Sequence, residues 1–426
     1  MKVRIPYGKT KLELEHENIR EVVVSRIDEL KSEIEEGEIV KNAMSHPIGG
    51  SRLSELAQGK KTAVIIISDH TRPVPSRHII PYMLSELRQG NPEIDITLLV
   101  ATGCHRGTVK EELVAKLGKE IVEHEKIYVH DCDDLSMLTE IGTLPSGARL
   151  VINRLAAEAD LLVAEGFIEP HFFAGYSGGR KSVLPGICAR KTVLGNHCSA
   201  FIDSPSARMG VLEGNPIHKD MTAACDLARL SYIVNVVINE EKKVVAAFAG
   251  EPKEAHKKGC EFLDSFCRTE VEKKGKIVIT SNGGAPLDQN VYQAVKGLTT
   301  AEAAAVSSGA VLIMCAECTD GIGGNTFYQA LKNCTSATQL LEKVRQTSME
   351  ETVPDQWQYQ ILARILEKHR VIFVTNPSLE TAISEMKMEY ARTLAEAVDK
   401  ALNYAGRKTD ILVVPNGVSV IVQAEE

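Results

Sequence analysis

Thr62-Ala63-Val64-Ile65-Ile66-Ile67, running into Ser68-Asp69-His70-Thr71-Arg72-Pro73-Val74-Pro75-Ser76, decides how the chain folds. An apolar run without alternation is expected of a strand covered on both faces of a parallel sheet. The polar, proline-punctuated segment after it reads as a loop at the strand's carboxyl end. Working outward, a helix is predicted over Ile79–Arg88 and a second buried strand over Ile94–Val100. That strand ends in Ala101-Thr102-Gly103-Cys104-His105-Arg106-Gly107. A helix over Val109–Leu117, a strand over Ile127–Asp131 and a buried strand over Asp160–Ala164 continue the pattern. Strands alternating with helices imply a doubly wound α/β sheet, and such sheets bind ligands beyond the carboxyl ends of their strands. The polar clusters at 68–72, 102–106 and 165–181 all fall there.

Towards the N-terminus, residues 1–15 alternate and read as a strand hairpin. Asn18–Glu36 carries Ile19, Val22, Val23, Ile27, Leu30 and Ile34 at the spacing of an amphipathic helix. Downstream, Tyr232–Ile238 and Val244–Phe248 form a hairpin, a helix covers Glu254–Phe266, and Arg268–Gly275 reads as a linker. A second α/β domain opens with the strand Lys276–Thr280. Its next helix carries Tyr292, Gln293 and Lys296 near its N-terminus, and strands follow at Ala310–Met314, Val371–Thr375 and Asp410–Val414. The expected architecture is therefore α/β, with two doubly wound domains and a cleft between them. Residues 1–270 form the first domain and 271–426 the second, the last residues returning to the first.

Composition sets limits on function. The 426 residues are 44% hydrophobic, with a net charge of −8, an isoelectric point near 5.9 and a mean hydropathy of −0.09. That balance speaks against nucleic acid or an anionic membrane as partner, and no apolar run reaches transmembrane length. Met1–Pro6 does not read as a secretion signal, so ten cysteines point to reduced thiols and a cytoplasmic protein. Cys315-Ala316-Glu317-Cys318 lacks the second pair that a zinc site wants and ends a strand instead of opening a helix. It reads as two ordinary thiols.

The densest chemistry lies in Gly166-Phe167-Ile168-Glu169-Pro170-His171-Phe172-Phe173-Ala174-Gly175-Tyr176-Ser177-Gly178-Gly179-Arg180-Lys181, with Gly195-Asn196-His197-Cys198 beyond it. Glycines let the backbone approach a ligand, successive N–H groups can cradle a phosphate, and Arg180 and Lys181 add positive charge. A surface loop with incidental cations fits the same residues. His105, His171 and His197 each stand at or near a predicted strand end in a glycine-containing loop. Together they offer two acid/base groups and one metal ligand, although each alone also fits a hydrogen-bonded loop histidine. His16, His124, His256 and His369 read as surface or structural residues. Arg72 could hold a carboxylate bidentately or merely pair with Asp69 to shape the loop.

Ser68-Asp69-His70-Thr71-Arg72-Pro73, Gly103-Cys104-His105-Arg106, Glu169-Pro170-His171-Phe172-Phe173-Ala174-Gly175, Gly178-Gly179-Arg180-Lys181-Ser182 and Gly195-Asn196-His197 together resemble the nickel-dependent lactate racemase family. The likeness extends to Gln289–Lys296 and to Trp357, the only tryptophan. The resemblance implies a nickel pincer nucleotide, a pyridinium mononucleotide with a thioamide and a thiocarboxylate, tethered to Lys181. It implies His197 as nickel ligand and His105 and His171 as the catalytic pair. Arg72, Gln293 and Lys296 would surround the substrate, Tyr292 and Trp357 would line the pocket, and Asp69 would lie near the cofactor. Loop chemistry adds Gly178, Gly179 and Arg180 near the cofactor phosphate.

The implied activity is racemisation of a short 2-hydroxy acid, lactate first, by transient hydride transfer, with malate or a larger hydroxy acid as the alternative. Cofactor-synthesis and nickel-insertion enzymes are the implied maturation partners. A metal hydrolase ligated by His105, His171 and His197, and a small-anion binding protein, are the competing readings.

Overall fold

The structure, a computed structural model, describes residues 1–424. Two six-stranded sheets organise it. In the first, the spatial order is Val244–Gly250, Leu230–Ile238, Leu161–Phe167, Thr62–Ser68, Asp95–Ala101 and Lys126–Val129. All neighbours run parallel except the edge hairpin formed by the first two. The second sheet, Glu389–Ala391, Arg370–Val374, Val311–Cys315, Ile277–Ser281, Ile411–Val414 and Ile19–Val22, is parallel throughout. This is the mixed α/β architecture expected from the sequence.

The period of two along a strand explains why the apolar runs are continuous. Ile65 and Ile67 face a core shared with the helices Glu36–Ser45 and Ile80–Gly90. Val64 and Ile66 face the opposite core, which continues into Leu298 and Ile361 on helices of the second unit. Each fully buried isoleucine contributes about 1.5–3 kcal/mol. The far face of the second sheet packs Ile279, Ile313 and Ile372 against the hairpin residues Val3, Ile5 and Leu14.

Two segments depart from the sequence reading. Asn18–Glu36 contains a strand, Ile19–Val22, and a 3-10 turn, Ile27–Glu29, where a long helix was expected. Val22, Val23 and Val24 are β-branched and disfavour helix, and the edge of the second sheet accepts them, Val23 N–H donating to the Val413 carbonyl at 2.8 Å. The expected linker contains the strand Arg268–Val271, which pairs in parallel with Ile421–Ala424 near the end of the chain. Among the described residues no helix is long and apolar enough to cross a membrane.

Candidate active site

Loops at the carboxyl ends of Thr62–Ser68, Asp95–Ala101 and Leu161–Phe167 carry Asp69, His105 and His171, and the helices Val291–Ala304 and Gln356–Lys368 bring Lys296 beside Phe172 and Trp357 beside His197. Asp69, the first residue after its strand, is buried, and its Oδ1 accepts the Thr71 hydroxyl at 2.7 Å. Its Oδ2 lies 2.7 Å from His105 Nδ1. Burial alone would raise the Asp69 carboxyl, but the His105 ring, Thr71 and Arg72 outweigh it and hold the group below the usual carboxylate value. A carboxylate only accepts, so His105 carries hydrogen on Nδ1 and leaves Nε2 outside this bond.

His171 is held differently. Pro170–His171 pairs with Gly175–Tyr176 in a miniature antiparallel ladder. The ring stacks on Phe172 with centroids 5.0 Å apart and meets the edge of Phe173 at 4.6 Å. Its Nδ1 accepts the Ala174 N–H at 3.2 Å, so the neutral ring carries its hydrogen on Nε2, 3.3 Å from Lys181 Nζ. Burial, followed by the charges of Lys181, Lys296 and Arg72, pushes His171 well below the usual histidine value. It is neutral at pH 7.

Lys181 sits in the 3-10 turn Gly179–Ser182. Burial drives its amine well below the ordinary lysine value, and Arg180, Arg72 and Lys296 push the same way. The shift favours the uncharged amine, the form in which a lysine is a nucleophile able to carry a covalent group. His197 follows the helix Arg190–Asn196, and its Nδ1 donates to the Val193 carbonyl at 3.0 Å. That bond fixes the tautomer and leaves Nε2 as a bare lone pair. Burial and then Lys181 hold this imidazole at about 3, so it stays neutral, as a metal ligand must. Phe173 and Trp357 flank it edge-on, each 5.1 Å between centroids.

From the second unit, Asn290 caps the helix Val291–Ala304 by accepting the Gln293 N–H at 2.9 Å, which fixes its first turn. Lys296 Nζ stands 5.8 Å from the Phe172 ring centroid. Burial, then Arg72, lower its amine to about 8, with Glu169 opposing. Tyr292 is half-buried beside Phe327, its phenol raised chiefly by burial and also by Asp355. Gln293 is half-buried on the same turn and Arg72 is exposed at its loop tip.

Gly178, Gly179 and Arg180, expected near a cofactor phosphate, are engaged inside the protein. Gly179 N–H donates to Asn235 Oδ1 at 2.7 Å. Arg180 is 4% exposed and donates to His218 at 2.9 Å and to the Ala174 carbonyl at 2.6 Å, with His256 Nε2 at 3.0 Å. It braces the loop from behind. The glycines are required there because both have positive φ, and a Cβ on Gly179 would lie 2.7 Å from the His256 ring.

Among the described residues, ring nitrogens of His105, His171 and His197 do not gather within ligand range of one another, which removes the support for a three-histidine hydrolase centre. Cys315 and Cys318 are buried and form no disulfide with each other. The sequence reading gave no role to Glu165, Glu169 or Lys116. Glu165 did carry a signal, a carboxylate ending an apolar run. Glu169 is raised by burial and opposed by Arg72, Lys296 and Lys181, which places it in the same electrostatic field.

An α/β fold that sets a lysine amine shifted towards its neutral form, two imidazoles held neutral by burial and a third imidazole gripped by a buried carboxylate on the loops and turns around one mostly parallel sheet has the makings of an enzyme. Its two halves match the lactate racemase N-terminal domain over residues 7–210 and the lactate racemase C-terminal domain over residues 271–422. A lactate racemase of Thermoanaerobacterium thermosaccharolyticum is 51% identical over 423 residues, covering 99% of both chains. One of Lactiplantibacillus plantarum is 47% identical, again over 99% of both chains. The solved lactate racemase apoprotein of T. thermosaccharolyticum superposes with a TM-score of 0.96 at 50% identity, over 99% of this chain and 100% of that one. A Thermotoga maritima structure shares the fold alone, with a TM-score of 0.65 at 19% identity, over 91% of this chain and 98% of that one. The chain belongs to the lactate racemase family.

Proposed function

We propose that this protein interconverts D- and L-lactate, with His105 and His171 as the acid/base pair and a nickel pincer nucleotide held by Lys181 and His197. The observation that carries the reading is the pairing of a lysine amine pushed towards its neutral form with a buried imidazole whose Nε2 lone pair is unused. The first suits a covalent tether and the second a metal bond; the Phe173 ring lies beside both, and Trp357 flanks the imidazole. These residues fit the cofactor. When bound, it would supply the acceptor that takes the α-hydrogen of lactate as hydride and returns it.

The chain's own groups do the rest. Arg72 and Lys296 bind the carboxylate and anchor the substrate while its central carbon becomes planar. His105, oriented by Asp69, takes the hydroxyl proton through Nε2. His171 acts on the same proton for the other enantiomer, since reversing a stereocentre requires exchange from both faces. Tyr292 and Trp357 close a pocket suited to a small substrate.

We further propose a division of the chain at residues 1–270 and 271–426, a cytoplasmic location suited to ten free thiols, and maturation by cofactor-synthesis and nickel-insertion enzymes. Chiral analysis of lactate incubated with protein from a cofactor-producing host tests the function. Convergence of either pure enantiomer to a racemate, with a mononucleotide-sized adduct on Lys181, is expected. No interconversion by adduct-bearing, nickel-loaded protein would refute it.

A further inference from the structure

Glu165 interrupts the apolar face of the central strand Leu161–Phe167 and is 2% exposed. Its Oε1 accepts from the Ser76 hydroxyl at 2.6 Å and from the Ser68 hydroxyl and N–H, each at 3.3 Å. Its Oε2 is buried with no hydrogen-bond partner. Opposite it, Lys116 of the helix Lys110–Leu117 donates to the Arg72 carbonyl at 3.2 Å and to the Val74 carbonyl at 3.4 Å. Burial raises the Glu165 carboxyl and Lys116 is the strongest influence against it; burial lowers Lys116 and Glu165 is the strongest influence against that. The two groups are therefore electrostatic partners under one loop.

That loop is Ser68–Ser76. One carboxyl group pins both of its ends and one lysine amine pins its middle. A half-satisfied buried carboxylate is costly to keep, and an apolar residue would pack the strand more cheaply. What the network secures is the backbone on which Asp69 and Arg72 ride. We propose that Glu165 and Lys116 are positioning residues for the racemase reaction, fixing the loop so that Arg72 meets the substrate carboxylate and Asp69 meets His105. This rests on the roles of Arg72 and His105 given above.

The test compares holoenzymes of E165Q, K116M, the E165Q/K116M double variant and R72A, all matured in the same cofactor-producing host. R72A is the control on the underlying reading and should raise KM for lactate about 100-fold. E165Q and K116M should each raise KM about tenfold and change the pH profile of kcat, with the double variant no worse than the poorer single one. Amide exchange of residues 68–76 should quicken in both single variants, read on apoprotein as well, while exchange elsewhere stays as in wild type. Lowered Tm with wild-type KM, kcat and pH profile would reduce the network to structural support and overturn the proposal. Wild-type KM in R72A would overturn the role of Arg72 and, with it, the proposal. An R72A effect without any E165Q or K116M effect would overturn the proposal alone.

Discussion

His105 and His171 are assigned the same task, yet the molecule holds them in opposite ways. His105 has a side chain 45% exposed, is gripped by a buried carboxylate and presents a lone pair. His171 is walled by Phe172 and Phe173, surrounded by cations, and presents a hydrogen from Nε2. One is ready to accept a proton and the other to donate a hydrogen bond. For His171 to accept a proton at Nε2, its own hydrogen must shift to Nδ1 and release the Ala174 amide. A symmetric reaction is thus served by an asymmetric pair, and the asymmetry comes from which loop each ring occupies.

The largest effect expected is at the residue beside which His171 sits. Lys181→Ala should bring racemisation below detection and abolish the adduct in intact mass, with an unchanged circular dichroism spectrum. Next, His105→Ala and His171→Ala should each lower kcat by about 10²–10⁴-fold while the Lys181 adduct survives. Survival of high activity in either would break the comparison.

Asp69→Asn touches only one side of it and should cost about 10–100-fold in kcat. Because two enantiomers interconvert with an equilibrium constant of one, kcat/KM must remain equal in both directions. The asymmetry is therefore expected in kcat, lowered more from one enantiomer than from the other. Equal losses would show that Asp69 serves both rings.

The smallest effect is a pH dependence. Lys296 titrates at about 8 because burial and Arg72 disfavour its charge. Below that pH it is cationic and binds carboxylate; above it the charge is lost. KM should rise about tenfold between pH 7 and 9, and Lys296→Met should erase that rise. An unchanged pH profile in the methionine variant would remove Lys296 from the substrate site.

Much of this was legible in the sequence, for physical reasons. Thr62–Ile67 and Ile277–Thr280 read as buried strands because both faces of each are covered, and the loops after the strands of the first sheet had to converge on one edge. Asn18–Glu36 misled because a helical spacing of apolar residues can coexist with a β-branched run that a neighbouring sheet edge captures. From sequence alone Arg180 reads as a ligand-binding cation, because nothing local reveals His218 and His256, its partners 38 and 76 residues away. Glu165 and Lys116 escape for the same reason, since the loop groups they bond lie 97 and 89 residues away for Glu165 and 44 and 42 away for Lys116. Lys181 and Arg180 are adjacent in sequence, and only the fold separates the amine beside His171 from the braced guanidinium.

The central claim is that the α-hydrogen leaves and returns as hydride while the two histidines trade only the hydroxyl proton. Racemising L-lactate in D2O and recording the proton spectrum of the D-lactate formed tests it directly. The expected result is a methyl doublet, the C2 hydrogen retained. Collapse of that doublet to a singlet through deuterium at C2 would mean that solvent exchanges with the α-carbon, and would contradict the account.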